Sequence, residues 1–331
     1  MVASQRARFG RATLPLVLLL AASVVAAVDL RRIEKDTLVI YTTPALSDLL
    51  ENALLPAFTA ETGIQVIPVY VAAASEYHRV KLASERPEAD IFLHASPLFL
   101  EKGYADGLFD AVAVPGTSER DAQFASRAVE GGHIWHAFAW SPLVEVHSPS
   151  RATPPDLADP ALRLGLAHPR LSNNGIYNAV FFESLNRSAG MDAISRTLVQ
   201  PSNARATIAG VAEGSYEATL GYEAVVRFFQ GRGAAIAYGV PLLDGEQATL
   251  PVLFSAAVVK SHPHDGAEAL VRFLFDEPQQ AKLATYGFRS VQRDVPPPDG
   301  ALDLAGVKII DFDWSTWATL EAALPRYEVG S

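Results

Sequence analysis

The chain has 331 residues, 49% hydrophobic and 19% charged, with 27 Lys and Arg against 37 Asp and Glu for a net charge of −10, and it contains no cysteine. These figures describe a soluble globular protein of one large or two ordinary domains, and they exclude a disulfide framework, a thiolate metal site, an iron–sulfur cluster, a cysteine nucleophile and a lipid-modified N-terminal cysteine. The acidic balance gives no global attraction for a nucleic-acid backbone, so no nucleic-acid partner is expected and any bound anion must be caught by local geometry.

Residues 1–27 differ in composition from the rest. Arg6, Arg8 and Arg11 precede an apolar run that is broken by Pro15, is short for a bilayer span, and ends with Val25 and Ala27 at −3 and −1 of a cleavage site. This is the layout of a secretory signal peptide on the general route; an uncleaved anchor helix is the alternative. Removing three arginines and no acids takes the charge from −10 to −13.

Beyond the signal, β-rich runs alternate with helical periodicity. The spacing predicts a strand over 37–42 (TLVIYT), a helix over 46–62 stopping at Gly63, a strand over 64–71, a helix over 75–86 with Ser75 as N-cap, a strand over 89–94, and a helix over 96–102. Three such units in succession imply a parallel sheet wrapped by helices. A long apolar strand is expected over 134–146, a proline-rich loop over 149–160 and a strand over 162–167. Then come a helix over 174–186, strand 218–222, helix 223–230 and strand 234–240. A long apolar strand over 250–260, one amphipathic helix over 266–286 and a short strand over 288–291 complete the pattern. No repeat of 20 to 50 residues is visible.

Ordered segments resemble one family over nearly all of the chain past the signal: LVIY (38–41) with Thr42 and Thr43, LPAF (55–58), ETGIQV (61–66), ADIF (89–92), LFLEKGYADGLF (98–109), PPDLADP (154–160), GSYEATLGYE (214–223), AAVVK (256–260), and 267–288 closing on YGFR (286–289). The chain resembles the extracellular solute-binding proteins of bacterial ABC importers, of the type II periplasmic-binding class that includes ferric-ion, phosphonate, sugar-phosphate and polyamine binders. The resemblance implies an α/β, two-lobed fold with a ligand cleft between the lobes and two crossover hinge strands. The long apolar strands take the crossover role, which places lobe 1 at 28–140 and 256–331 and lobe 2 at 141–255. It also implies a periplasmic, monomeric carrier that binds a small-molecule solute and docks on an ABC permease in the inner membrane. A ligand-binding subunit of a sensor kinase is the alternative.

In open α/β sheets, ligands lie beyond the carboxyl ends of strands, where helix N-termini offer free N–H groups. The candidates there are Thr42 and Thr43, Ser75, Ser96, then Ser172, Asn173, Asn174 and Gly175, and finally Tyr222 and Glu223; Ser75, Ser96 and Ser172 also read as ordinary caps. A carboxylate at Glu223 would accept from a hydroxyl or pair with a cation, or else serve as a first-turn acid of its helix. Trp140, at the first crossing, would stack on a solute or fill the core. Trp135, Trp314 and Trp317 read as structural, the last two in a C-terminal segment packed across lobe 1. Ferric binders of this class resemble one another in an adjacent Tyr-Tyr pair, where this sequence has Tyr222-Glu223, leaving Tyr216, Tyr238 and His94 as other donors. The His133/His136 and His262/His264 pairs lack metal-ligand context, no nucleophile or nucleotide motif is present, and neither catalysis nor a cofactor is expected. The expected ligand is a phosphorylated or phosphonate-bearing organic solute, with ferric ion next and a polyamine third.

Overall fold

The computed structural model describes residues 37–114, 126–260 and 265–330; the expected signal peptide and the His262/His264 pair lie outside them. The β-branched run Thr37–Thr42 forms β1, whose Leu38, Ile40 and Tyr41 are buried. Helical turns over Ser47–Leu49, Leu50–Leu54 and Leu55–Thr62 follow, ended by Gly63 at φ 76°, a left-handed conformation that glycine adopts without a Cβ penalty. Then come β2 (Gln65–Tyr70), α1 (Ala73–Leu82), β3 (Ile91–His94) and α2 (Pro97–Ala105). The long strand β4 runs over His136–His147, and the chain continues through β5 (Leu164–Gly165), α3 (Asn173–Leu185), β6 (Thr197–Val199), α4 (Ala204–Ala212), β7 (Ala218–Tyr222), α5 (Glu223–Gln230) and β8 (Pro251–Val259).

One large sheet orders these strands β2-β1-β3-β8-β4-β7-β5-β6. β1 and β3 are parallel, as consecutive βα units require, but β8 runs antiparallel to both β3 and β4, so the sheet is mixed. The two long strands link its halves. β4 pairs with β8 up to Pro142, and from Leu143 onward its partners are β7 and the strand Ala237–Gly239. Thr249 Oγ1 donates a 2.6 Å hydrogen bond to the Leu143 carbonyl where that change occurs.

Three expectations are corrected. The helix after β2 begins at Ala73 with Ala72 as N-cap, so Ser75 sits inside its first turn and caps nothing. The single helix expected over 266–286 is two, Asp265–Phe273 and Glu277–Leu283; Pro278 lacks an N–H and would clash with the turn before it, so the second helix starts afresh there. The C-terminal segment does not stay on the first half of the sheet. Lys308–Ile309 pairs with Glu246–Thr249, Trp314 packs edge-to-face on Tyr177 of α3 and Tyr327 stacks on Phe182 of α3, while Trp317 lies near Lys102 of α2. The sequence reading also passed over Arg187–Ser195, β6, α4 and a hairpin turned by Asp244-Gly245, both at positive φ.

Candidate functional site

Four helical segments begin around one cavity of about 140 Å³ that opens in part to solvent. Thr43 caps the 3-10 turn Pro44–Leu46 after β1, Ala72 precedes α1, Ser172 precedes α3 and Asn203 precedes α4. Local sequence explains each start. Pro44 suits a first helical position, Asn203 Oδ1 accepts a 2.8 Å hydrogen bond from Ala206 N, and Gly175 lets the first turn of α3 pass close to the His168 carbonyl, only 2.2 Å from where a Cβ would stand. First-turn N–H groups carry partial positive charge, so their convergence favours an anion.

Side chains contribute both donors and acceptors. Ser172 Oγ makes no cap hydrogen bond and is buried without a partner, as are Asn173 Oδ1, Asn174 Oδ1, Tyr222 OH and Arg205 Nε, all from residues that line the cavity. Asn174 is oriented by its amide, which donates a 2.7 Å hydrogen bond to the Leu220 carbonyl. Burial, with Tyr177 beside it, pushes the Tyr222 phenol well above its ordinary range, and burial together with Glu51 raises that of Tyr70. Both phenols therefore stay protonated near neutral pH and act as donors. The lining carries one arginine and no carboxylate.

The structure thus brings together Thr43, Ser172, Asn173, Asn174 and Tyr222. It adds Tyr70, Ser202, Asn203 and Arg205, which the sequence reading missed. A Pro201-Ser202-Asn203 cap ahead of an apolar run was the available signal for α4; nothing local marked Arg205.

The remaining candidates stand elsewhere. Thr42 is fully buried one residue behind the lining. Ser75 is exposed on α1, and Ser96 is the buried N-cap of α2, its Oγ accepting from Leu98 N. Gly175 shapes α3 from behind. The Trp140 indole donates a 3.0 Å hydrogen bond to the Ser290 carbonyl and lies beneath the Arg289 guanidinium, which makes it a strand-packing residue. Glu223 reads differently from the expectation: it is fully buried, 3.0 Å from Arg289 Nη2, and accepts further hydrogen bonds from Tyr238 OH and Leu302 N. Its oxygens are occupied, so it ties α5 to the C-terminal segment. Tyr216 donates to the Thr207 carbonyl, and His94 Nε2 lies 3.4 Å from the buried Glu76. Among the described residues, no three His, Asp or Glu side chains gather in a metal-binding group, and no helix is long and apolar enough to cross a membrane.

The family model described as "Bacterial extracellular solute-binding protein" matches residues 38–289. A curated relative, iron uptake protein A1 of Synechocystis sp., is 27% identical over 261 residues, covering 71% of this chain and 70% of that one. Among solved structures, the periplasmic binding protein AfuA from Actinobacillus pleuropneumoniae, with fructose-6-phosphate bound, superposes at a TM-score of 0.73 with 17% identity, over 87% of this chain and 96% of its own. The apo ferric ion-binding protein A from Pasteurella haemolytica gives 0.70 with 16% identity, over 89% and 99%.

Proposed function

We infer, from the premise that this chain belongs to the bacterial extracellular solute-binding protein family and has its two-lobed α/β fold, that the cavity captures a small organic solute by a phosphoryl or phosphonate group. The family's work is to bind a solute for an ABC importer, and the reading here concerns which solute and how. One observation carries it: four helix starts, one arginine and the unpartnered donors Ser172 Oγ, Tyr222 OH and Arg205 Nε share a lining that holds no carboxylate. An oxyanion accepts hydrogen bonds from these donors, whereas a bare cation would meet their positive ends, and the Asn173 and Asn174 amide oxygens are left to accept from the hydroxyls of an organic solute.

Lobe 1 is assigned to 28–140 and 256–331 and lobe 2 to 141–255, because β4 and β8 exchange partners beside Ser141 and Ser255, with the last residues of lobe 1 reaching back to pack on α3 of lobe 2. Thr43, Tyr70 and Ala72 then face Ser172, Asn203, Arg205 and Tyr222 across the cleft. A solute touching both sides favours the closed form only by its extra contacts there. The assigned setting is the periplasm, after cleavage near residue 27, with an inner-membrane permease as acceptor.

Ferric ion bound together with an anion is the second reading, favoured by two tyrosines in the lining and by the named iron uptake relative. Calorimetry with fructose 6-phosphate, inorganic phosphate and ferric citrate separates the two. The phosphoryl reading expects binding of the phosphorylated sugar with no visible colour. Tight ferric citrate binding with a phenolate-to-iron absorption band, and none by the phosphate compounds, overturns it.

A further inference from the structure

Asp48, in the helical turn Ser47–Leu49 after β1, reaches toward helices that pack on the other half of the sheet. Its Oδ1 is 3.3 Å from Arg232 Nη2 and its Oδ2 is 3.8 Å from Arg205 Nη2. Ser47 Oγ accepts a 2.9 Å hydrogen bond from the same Arg205 nitrogen. The guanidinium carbons of Arg205 and Arg232 lie 4.0 and 3.5 Å from the centre of the Phe228 ring, so two cations share one ring and one carboxylate.

The position of this cluster gives it meaning. A second cavity, about 440 Å³ and likewise open in part to solvent, is lined by Asp48, Phe228 and Arg232, whereas Arg205 lines the first; Ala45 lines both. The cluster is therefore the partition between them. Each ion pair is partly exposed and by itself contributes little. The repulsion between two guanidinium groups on one ring is eased by the Asp48 carboxylate beside them.

We propose that Asp48 is a positioning residue that ties closure of the cleft to presentation of Arg205: closed, Asp48 and Ser47 hold the Arg205 guanidinium on Phe228 with Nε at the cavity, and opening withdraws that support. The proposal rests on the reading of the cavity as the solute site between two lobes. Because one end of the device belongs to each lobe, Asp48 strengthens solute capture without itself touching the solute.

The absence of cysteine makes the test clean. Spin labels at exposed Glu61→Cys and Glu213→Cys, one on each side, report the interlobe distance by double electron–electron resonance with no solute added. Asp48→Asn should deplete the shorter-distance population several-fold; high salt should do the same to the parent and add little in the variant, and Asp48→Glu should restore the parent distribution. An unchanged distribution in both Asp48→Asn and high salt overturns the strap, whatever the solute. Calorimetry with fructose 6-phosphate supplies the second arm. Asp48→Asn should weaken binding about three- to tenfold, and Arg205→Gln should cost less in that background than in the parent; fully additive losses overturn the coupling. Failure of the parent to bind this sugar phosphate would count against the solute reading alone, since the distance measurement needs no solute.

Discussion

Tyr222 shows how one oxygen atom divides packing from binding. Its ring is held edge-to-face by Tyr177 and Phe254, and its hydroxyl is buried without a partner at the cavity. Tyr222→Phe keeps the ring and removes the donor, so the melting temperature should hold while affinity for a phosphorylated sugar falls about tenfold or more, the worth of a hydrogen bond to a charged group; a joint loss of both would mark Tyr222 as a core residue only. Glu145 makes a contrasting case. Its carboxyl, 2.7 Å from His147 Nδ1, is pushed up to about 7 by burial, far above its ordinary 4.5. Between those values the folded chain holds a proton that the unfolded chain has released, so stability falls as pH rises from about 4.5 to about 7 and levels off above. Denaturant titrations across that range should show the decline in the parent and lose it in Glu145→Gln. The place of Tyr222 at a strand end was legible in the sequence, but the burial of Glu145 was not, because burial on the two faces of a sheet is decided by partners far along the chain.

Elements were far more legible than residues. The boundaries expected for β1, β7 and α5 coincide with those observed, since an alternating run, a glycine and a first-turn acid act within a few residues. The strand ends that present Thr43, Ser172 and Tyr222 were legible for the same reason. Arg205 and Glu223 were not: one joins the cavity through a helix that packs on β7, and the other is spoken for by Arg289, 66 positions later. The placement of α3 rests on Gly175, where a Cβ would press on the His168 carbonyl carbon and oxygen at 2.4 and 2.2 Å. Backbone cannot yield as a flexible side chain does, so Gly175→Ala should move the N-terminus of the helix. The expected result is a loss of about 1–3 kcal/mol in denaturant unfolding together with a weakened site. Unchanged stability would mean that α3 tolerates displacement.

Across the whole molecule the fields near and far from the cavity have opposite sign. The chain carries −10 overall, and −13 once the expected signal is removed, yet its cavity is framed by helix N-termini and an arginine. On the phosphoryl reading, the solute is repelled at long range and held at short range. Raising ionic strength from about 10 mM to about 150 mM shortens the screening length from about 30 Å to about 8 Å. Association of fructose 6-phosphate, followed by stopped-flow tryptophan fluorescence, should therefore speed up about twofold or more over that interval. An association rate that falls with salt would mean that the local positive field extends beyond the cleft.

The C-terminal segment bears on when the protein can finish folding. Gln200 donates to the Tyr327 carbonyl and accepts from Val329 N, Glu328 pairs with Arg170, and Tyr327 donates to Glu183. These partners are translated more than a hundred residues earlier and must wait for the C-terminal segment to complete these bonds. A nascent chain with this wiring remains incompletely packed until its late residues emerge.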